Sequence, residues 1–223
     1  MELIQKALDR GAKNLSEFES KAVLSAYGIP VTSEKTVHTE EEALAAAADL
    51  GYPIVLKGSG ESMSHKTEMD LIALDIRDER GLVDAFRGFR NRQDVTVDEL
   101  LVQPMVKGNR ELMAGLKRDP QFGPCVMFGL GGVLAEILDD VAIRVAPLSE
   151  FDAMEMLDDI RAKKILDAFR GKPPADRNKL AQLLIALGRL GLENKNIAEI
   201  DINPIKLVAG NPVAVDALVV LGD

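Results

Sequence analysis

Two short runs near the C-terminal end constrain this chain most: Ala198-Glu199-Ile200-Asp201-Ile202-Asn203-Pro204 and Val213-Ala214-Val215-Asp216-Ala217. Polar residues alternate with isoleucines in the first, so a strand there carries Glu199, Asp201 and Asn203 on one face. Between the runs stands Ala209-Gly210-Asn211-Pro212, a turn composition. A hairpin folded about the Ala209–Gly210 step pairs residues whose numbers sum to 209 + 210 = 419, which sets Asn203 opposite Asp216. Directly opposed residues have Cβ atoms roughly 4.5–5.5 Å apart, close enough for one hard cation to take an oxygen from each. Magnesium is commonly held by one or two protein oxygens, with phosphates and water completing its shell. A polar hairpin face turned to water has a similar composition, but the register match favours a metal–nucleotide site.

A chain of 223 residues, 47% of them hydrophobic, can bury a substantial core as one large domain or two small ones. With 27 basic and 36 acidic side chains the net charge is −9, opposite in sign to the footprint of a nucleic-acid-binding protein. No apolar run reaches the length of a membrane span, and no charged-then-apolar signal segment opens the chain. The lone Cys125 excludes an intrachain disulfide and reads as a small buried apolar residue. The expected setting is a reducing cytoplasm, with neither nucleic acid nor membrane as partner.

The pattern along the chain is α+β. Ser16-Glu17-Phe18-Glu19 and Thr39-Glu40-Glu41-Glu42 have capping-box spacing and open helices that run to Gly28 and Leu50. Strands are expected at Tyr52–Lys57 and Leu71–Ile76, and a helix from Asp78 to about Gln93. Leu100–Met105 reads as a strand leading into a hinge, with one lobe over residues 1–103 and a second over 104–223. Further strands are expected near Glu111–Lys117, Cys125–Phe128, Val133–Leu138 and Val141–Ala146. Helical patterns cover Ser149–Phe169 and Ala175–Leu192 before the closing hairpin.

Lys57 ends an apolar strand, where a fixed ammonium suits nucleotide phosphates and a surface lysine capping the strand is the plainer reading. His65 stands in a polar loop between Ser64 and Lys66, placed to act as base, nucleophile or phosphoryl carrier, or simply as a solvated histidine. His38, just before a helix cap, reads as structural. Arg144 alternates with Ala142 and Ala146, so small neighbours leave room for a phosphate oxygen at its guanidinium; an exposed strand arginine fits equally. Glu111 opens a strand where a carboxylate can accept from ribose hydroxyls. Gly129-Leu130-Gly131-Gly132 allows close approach of the backbone to a ligand, but it precedes a strand and is no dinucleotide fingerprint.

Taken in order, several stretches resemble the ATP-grasp β subunit of the ADP-forming acyl-CoA synthetases, the archaeal-type acetyl-CoA synthetase group, related to the succinyl-CoA synthetase β subunit. They are Leu15–Lys21 with Tyr27–Val31, Pro53–Lys57, Ser64–Glu68, Asp119–Pro124, Phe128–Gly132, Ala146–Leu148, Arg170–Pro174, and Glu199–Pro204 with Val215–Ala217. The resemblance implies an ATP-grasp fold, two α+β lobes clamping a nucleotide between two sheets. It implies Lys57 at the phosphates of ATP or ADP, and Gln103, Pro104, Met105 and Val106 as a hinge whose backbone meets adenine. Glu111 would then contact ribose or adenine, and Asn203 and Asp216 would hold Mg2+. His65 would carry the phosphoryl group, Asp201 would steady a phosphohistidine, and Arg144 would help neutralise phosphate charge. The implied reaction is acyl-CoA + ADP + phosphate in equilibrium with acid + CoA + ATP. No CoA-binding domain is recognisable, so a separate CoA-binding α subunit and a hetero-oligomer are implied.

The chain departs from that family where Met69-Asp70-Leu71-Ile72 replaces the glycine pair that usually follows the histidine element. Gly58-Ser59-Gly60-Glu61 likewise replaces the usual serine-proline-aspartate. These differences bear on the relay more than on nucleotide binding. They leave as alternative a nucleotide-sensing ATP-grasp lobe without turnover, as found fused to protein acetyltransferases. A stand-alone ligase joining an acid to an amine would leave the histidine loop unexplained.

Overall fold

Helix starts in this chain are fixed by side chains that answer the orphan amides of the first turn. In the computed structural model, which describes residues 2–59, 71–94, 97, 99–108, 110–132 and 140–222, Ser16, Thr39 and Ser149 each form a full capping box. Asp78 and Asp176 cap two further helices through their carboxylates. The elements that follow are α1 (Glu2–Asp9), α2 (Glu17–Ala26), β1 (Lys35–Val37), α3 (Glu40–Leu50), β2 (Ile54–Ser59), β3 (Ile72–Ile76), α4 (Glu79–Arg90) and β4 (Glu99–Pro104). After them come β5 (Glu111–Asp119), β6 (Gly123–Leu130), β7 (Val141–Val145), α5 (Glu150–Asp159), α6 (Arg177–Glu193), β8 (Ile197–Val208), β9 (Asn211–Ala214) and β10 (Leu218–Leu221).

The strands form two antiparallel sheets. The smaller has the order β1-β4-β2-β3; the larger runs β10-β8-β5-β6-β7, with β9 also paired to β8. Each sheet buries its own apolar face. Ile54, Leu56, Leu100 and Val102 pack with Ala43, Ala47, Leu82 and Phe86 of α3 and α4. Leu112, Leu116, Phe128, Ile200 and Ile202 pack with Leu157, Leu183, Leu184 and Leu187 of α5 and α6. Ile4, Leu15, Val23 and Leu24 belong to the second core, and Leu15 N donates to Val219 O. Thus residue 103 lies near the end of the smaller sheet, while α1 and α2 share the larger core.

The expected hairpin register holds along β8: Ile205↔Ala214, Lys206↔Val213, Leu207↔Pro212 and Val208↔Asn211 each sum to 419. The same sum continues into β10, with Asp201↔Leu218 and Ile200↔Val219. Ala209 and Gly210 both take positive φ, 49° and 88°, as a two-residue hairpin turn requires.

One expected element is corrected and two are added. The pattern over Ser149–Phe169 is not one helix: α5 stops at Asp159, and a 3₁₀ turn occupies Lys163–Leu166. Buried Asp140 accepts from the amides of Arg161 (2.7 Å) and Ala162 (2.8 Å), which ends the helix by supplying side-chain acceptors where helical carbonyls would have served. Helix α1 and strand β1 are additional elements, too short for a periodic signal to declare them. The strand expected at 133–138 lies outside the described residues.

Candidate functional site

The site begins with a break in alternation. Ile200 and Ile202 point to the core, and so do Ile205 and Leu207, leaving Asn203 and Pro204 as two successive outward residues. Opposite them, between core-facing Ala214 and Ala217, Val215 and Asp216 do the same. Pairing with β5 shifts by one residue here, from Leu112↔Ile205 to Ala114↔Ile202, so this is a bulge of the kind that re-aims side chains. All four outward residues line a cavity of 390 Å3. Glu111 and Lys206, cross-strand partners whose charged ends lie 3.2 Å apart, extend the wall.

The smaller sheet supplies the opposite wall: Val55 and Lys57 from β2, Ile72 and Leu74 from β3, Gln103 from β4, then Met105 and Val106. Apolar side chains from both sheets alternate with a few polar ones, among them the Lys57–Asp216 and Glu111–Lys206 pairs, the usual composition of a small-molecule site. Of the residues singled out from sequence, Lys57, Gln103, Met105, Val106, Glu111, Asn203 and Asp216 meet here. Pro104 closes β4 opposite Ile54 and is not a lining residue. Asp201 shares the outward face of β8 but lies beyond the cavity wall.

Arg144 is not brought to the cavity. It pairs with Val126 and so lies on the helix-facing side of the larger sheet, whereas Ile143 pairs with Met127, Met127 with Gly115, and Gly115 with Asp201 on the outward side. The room left by Ala142 and Ala146 is filled by helices, and the Arg144 guanidinium bonds to the Asp159 carboxylate at the end of α5. The glycine loop is also occupied by protein: a Cβ on Gly131 would collide with the backbone of Leu112, and one on Gly132 with the Glu111 carboxylate. Gly132 N donates to Asn203 Oδ1 at 3.0 Å and orients that amide. His65 lies outside the described residues.

Electrostatics favour a cation on the larger sheet's side. Burial, then the Asp216 and Glu199 carboxylates, pushes the Asp201 carboxyl up to about 6. Lys57 is buried, at 4% exposure, yet its ammonium is held above the ordinary lysine range. Burial opposes its charge, but Asp216, Glu17 and Glu34 outweigh that penalty. Oxygen donors from Asn203 and Asp216 beside excess carboxylate charge fit a hard cation such as Mg2+. Among the described residues no group of three His, Cys, Asp or Glu is placed to hold a metal ion.

Sequence reasoning missed the support behind Lys57. Its Nζ donates to Glu17 Oε1 at 2.7 Å, and the same oxygen accepts from Lys21 Nζ at 2.7 Å. Lys21 also donates to Thr32 Oγ1, Glu34 and Gln103 Oε1. Glu17 was visible only as part of a helix-capping signature; nothing in its spacing points to Lys57.

Two sheets facing each other across a slot, with a braced lysine on one side and oxygen donors on the other, have the form of a clamp for a small charged ligand. The family model described as ATP-grasp domain matches residues 6–221. The β subunit of acetate–CoA ligase [ADP-forming] I from Pyrococcus furiosus is 40% identical over 99% of this chain and 97% of its own length. The solved structure of Ca. Korarchaeum cryptofilum dinucleotide forming acetyl-coenzyme A synthetase 1, in complex with coenzyme A, Ca-AMPCP and HgCl+, superposes with a TM-score of 0.94 at 41% identity, covering 99% of both chains. Another structure of that protein, with coenzyme A and Mg-AMPPCP, has its phosphohistidine segment pointing towards the nucleotide binding site; it matches at 41% identity and a TM-score of 0.88, again over 99% of each chain. The chain belongs to the ATP-grasp family of ADP-forming acyl-CoA ligase β subunits. Among the described residues no helix is long and apolar enough to cross a membrane.

Proposed function

We propose that this chain is the nucleotide-binding β subunit of a cytoplasmic ADP-forming acyl-CoA synthetase and works with a CoA-binding α subunit. One observation carries the site assignment: a single cavity gathers Lys57, Gln103, Met105, Val106, Glu111, Asn203 and Asp216 from both sheets. In this reading Met105 and Val106 meet the base, Glu111 meets ribose, and Lys57 binds phosphate oxygens. Asn203 and Asp216 hold Mg2+, which neutralises phosphate charge when bound. His65 carries the phosphoryl group between the partner and ADP, and Asp201, on the outward face next to the metal ligands, steadies it there. Arg144 is left with a structural role, because its guanidinium is engaged on the opposite face.

The test uses the chain with and without its CoA-binding partner. ADP with Mg2+ should raise the melting temperature by mass action, and Asp216→Ala should lose the magnesium-dependent part of that rise. Acyl-CoA-dependent ATP formation should need both subunits and vanish in His65→Ala, with ADP binding kept. ATP formation by the isolated chain, or wild-type transfer in His65→Ala, would overturn the reading.

A further inference from the structure

Lys57 and Lys21 are both buried, but their acceptors differ. All four of the acceptors around Lys21 Nζ, on Glu17, Thr32, Glu34 and Gln103, lie within 3.0 Å, more than an ammonium's three protons can serve one to one. Lys57 Nζ has one short contact, to Glu17 Oε1 at 2.7 Å; Val215 O at 3.3 Å and Asp216 Oδ2 at 3.5 Å are long. The long contacts go to residues that line the cavity, whereas Glu17 does not line it. Lys57 therefore has one anchored direction away from the cavity and two exchangeable directions towards it.

We propose that Glu17 is a positioning residue for phosphate binding: its carboxylate, braced by Lys21, fixes the Lys57 ammonium so that its remaining protons face phosphate oxygens. The proposal rests on the reading that nucleotide phosphates bind at Lys57. Glu17 sits one residue past the cap of α2, and that helix packs in the larger core, while Lys57 belongs to the smaller sheet. Its side chain, 1% exposed, thus sets the lysine relative to Asn203 and Asp216 on the other wall. Asp216 cannot be that anchor if its oxygens are given to a metal. Glu34 reaches Lys21 and not Lys57 within bonding distance, so it serves as the matched control.

The experiment measures binding of ADP and of adenosine to the full chain at fixed free Mg2+, by calorimetry and NMR titration. In Glu17→Gln the affinity for ADP should fall roughly tenfold while adenosine binds as before, since a tenfold change matches the loss of one modest charge-assisted contact. Glu17→Asp keeps the network's charge balance, and hence the fold, but withdraws the oxygen by one methylene; its ADP-to-adenosine ratio should fall between those of wild type and Glu17→Gln. Glu34→Gln removes a charge near Lys57 but no bond to it, so its ratio should fall by clearly less than that of Glu17→Gln. A wild-type ratio in both Glu17 variants, or an equal loss in Glu34→Gln, would overturn the proposal. Lys57→Met separates the two levels: if it also kept the wild-type ratio, the phosphate reading of the cavity would fall, whereas loss in Lys57→Met without loss at Glu17 would sink the positioning role alone.

Discussion

From the smaller sheet the cavity receives the ammonium of Lys57, buried and braced by other ions; from the larger sheet it receives oxygens of Asn203 and Asp216 that are only half-buried. The cation is held by a network whose members are nearly all out of water, with Lys21 and Glu17 side chains at 2% and 1% exposure. The oxygen donors are placed by backbone geometry instead, a bulge and a shared register. A charge that must stay in place is fixed by other charges, and groups that must accept a newcomer are fixed by the chain and left accessible.

The sharpest way to break this contrast is to remove the brace. Lys21→Met leaves Glu17 and Glu34 without their shared cation, and breaking a buried ionic cluster from one side costs about 3–5 kcal/mol. Denaturant unfolding should read that loss; a change under ~1 kcal/mol would mean the network does not fix Lys57.

Bracing in the larger lobe relies on amides, and Asp140 tests it. Burial tends to raise this carboxyl, but the amides of Arg161 and Ala162 and the Arg161 guanidinium outweigh it and hold it below the ordinary range. A depressed carboxyl contributes stability in full above its unfolded value near ~3.9 and loses it as pH falls through the folded one. Asp140→Asn should therefore cost about 1–3 kcal/mol at pH 7. The gap from wild type should close as pH drops below about 4. A gap independent of pH would assign the cost to packing.

The smallest effect is expected at Arg144. Its bond to Asp159 is half-exposed, and such pairs contribute about 0–1 kcal/mol. Arg144→Ala should leave ADP affinity unchanged in calorimetry; a tenfold loss would return this residue to the phosphate site.

What was legible in the sequence follows range of interaction. The hairpin register could be read because period-2 alternation and a two-residue turn are local, and they fixed Asn203 against Asp216 before any fold was known. Strands and capping boxes were legible for the same local reason, whereas the packing of α1 and α2 on the larger sheet, made by distant partners, was not. The role of Glu17 could not be read, because it meets Lys57 forty positions away and Gln103 only through Lys21. Arg144 misled for a related reason: small neighbours on a strand mark either an open site or a tight helix contact, and only the packing of α5 and α6 decides. The break in the 149–169 helix depended on Asp140, ahead of the segment in sequence and joined to it only by folding.

The common register of β8 with β9 and β10 leaves this hairpin little tolerance to changes of length. The Ala209–Gly210 tip is itself packed: Gly210 is buried, its carbonyl accepts from Asp176 N at 2.8 Å, and a Cβ there would collide with Pro174 O. One residue added in the arm between Pro212 and Val215 would turn the following side chains to the other face of the sheet. Asp216 would then enter the core at the place of Ala217, beside Ile202, and Val215 would take its place at the cavity. Length is thus held in the arms by register and at the tip by contact with the segment that caps α6.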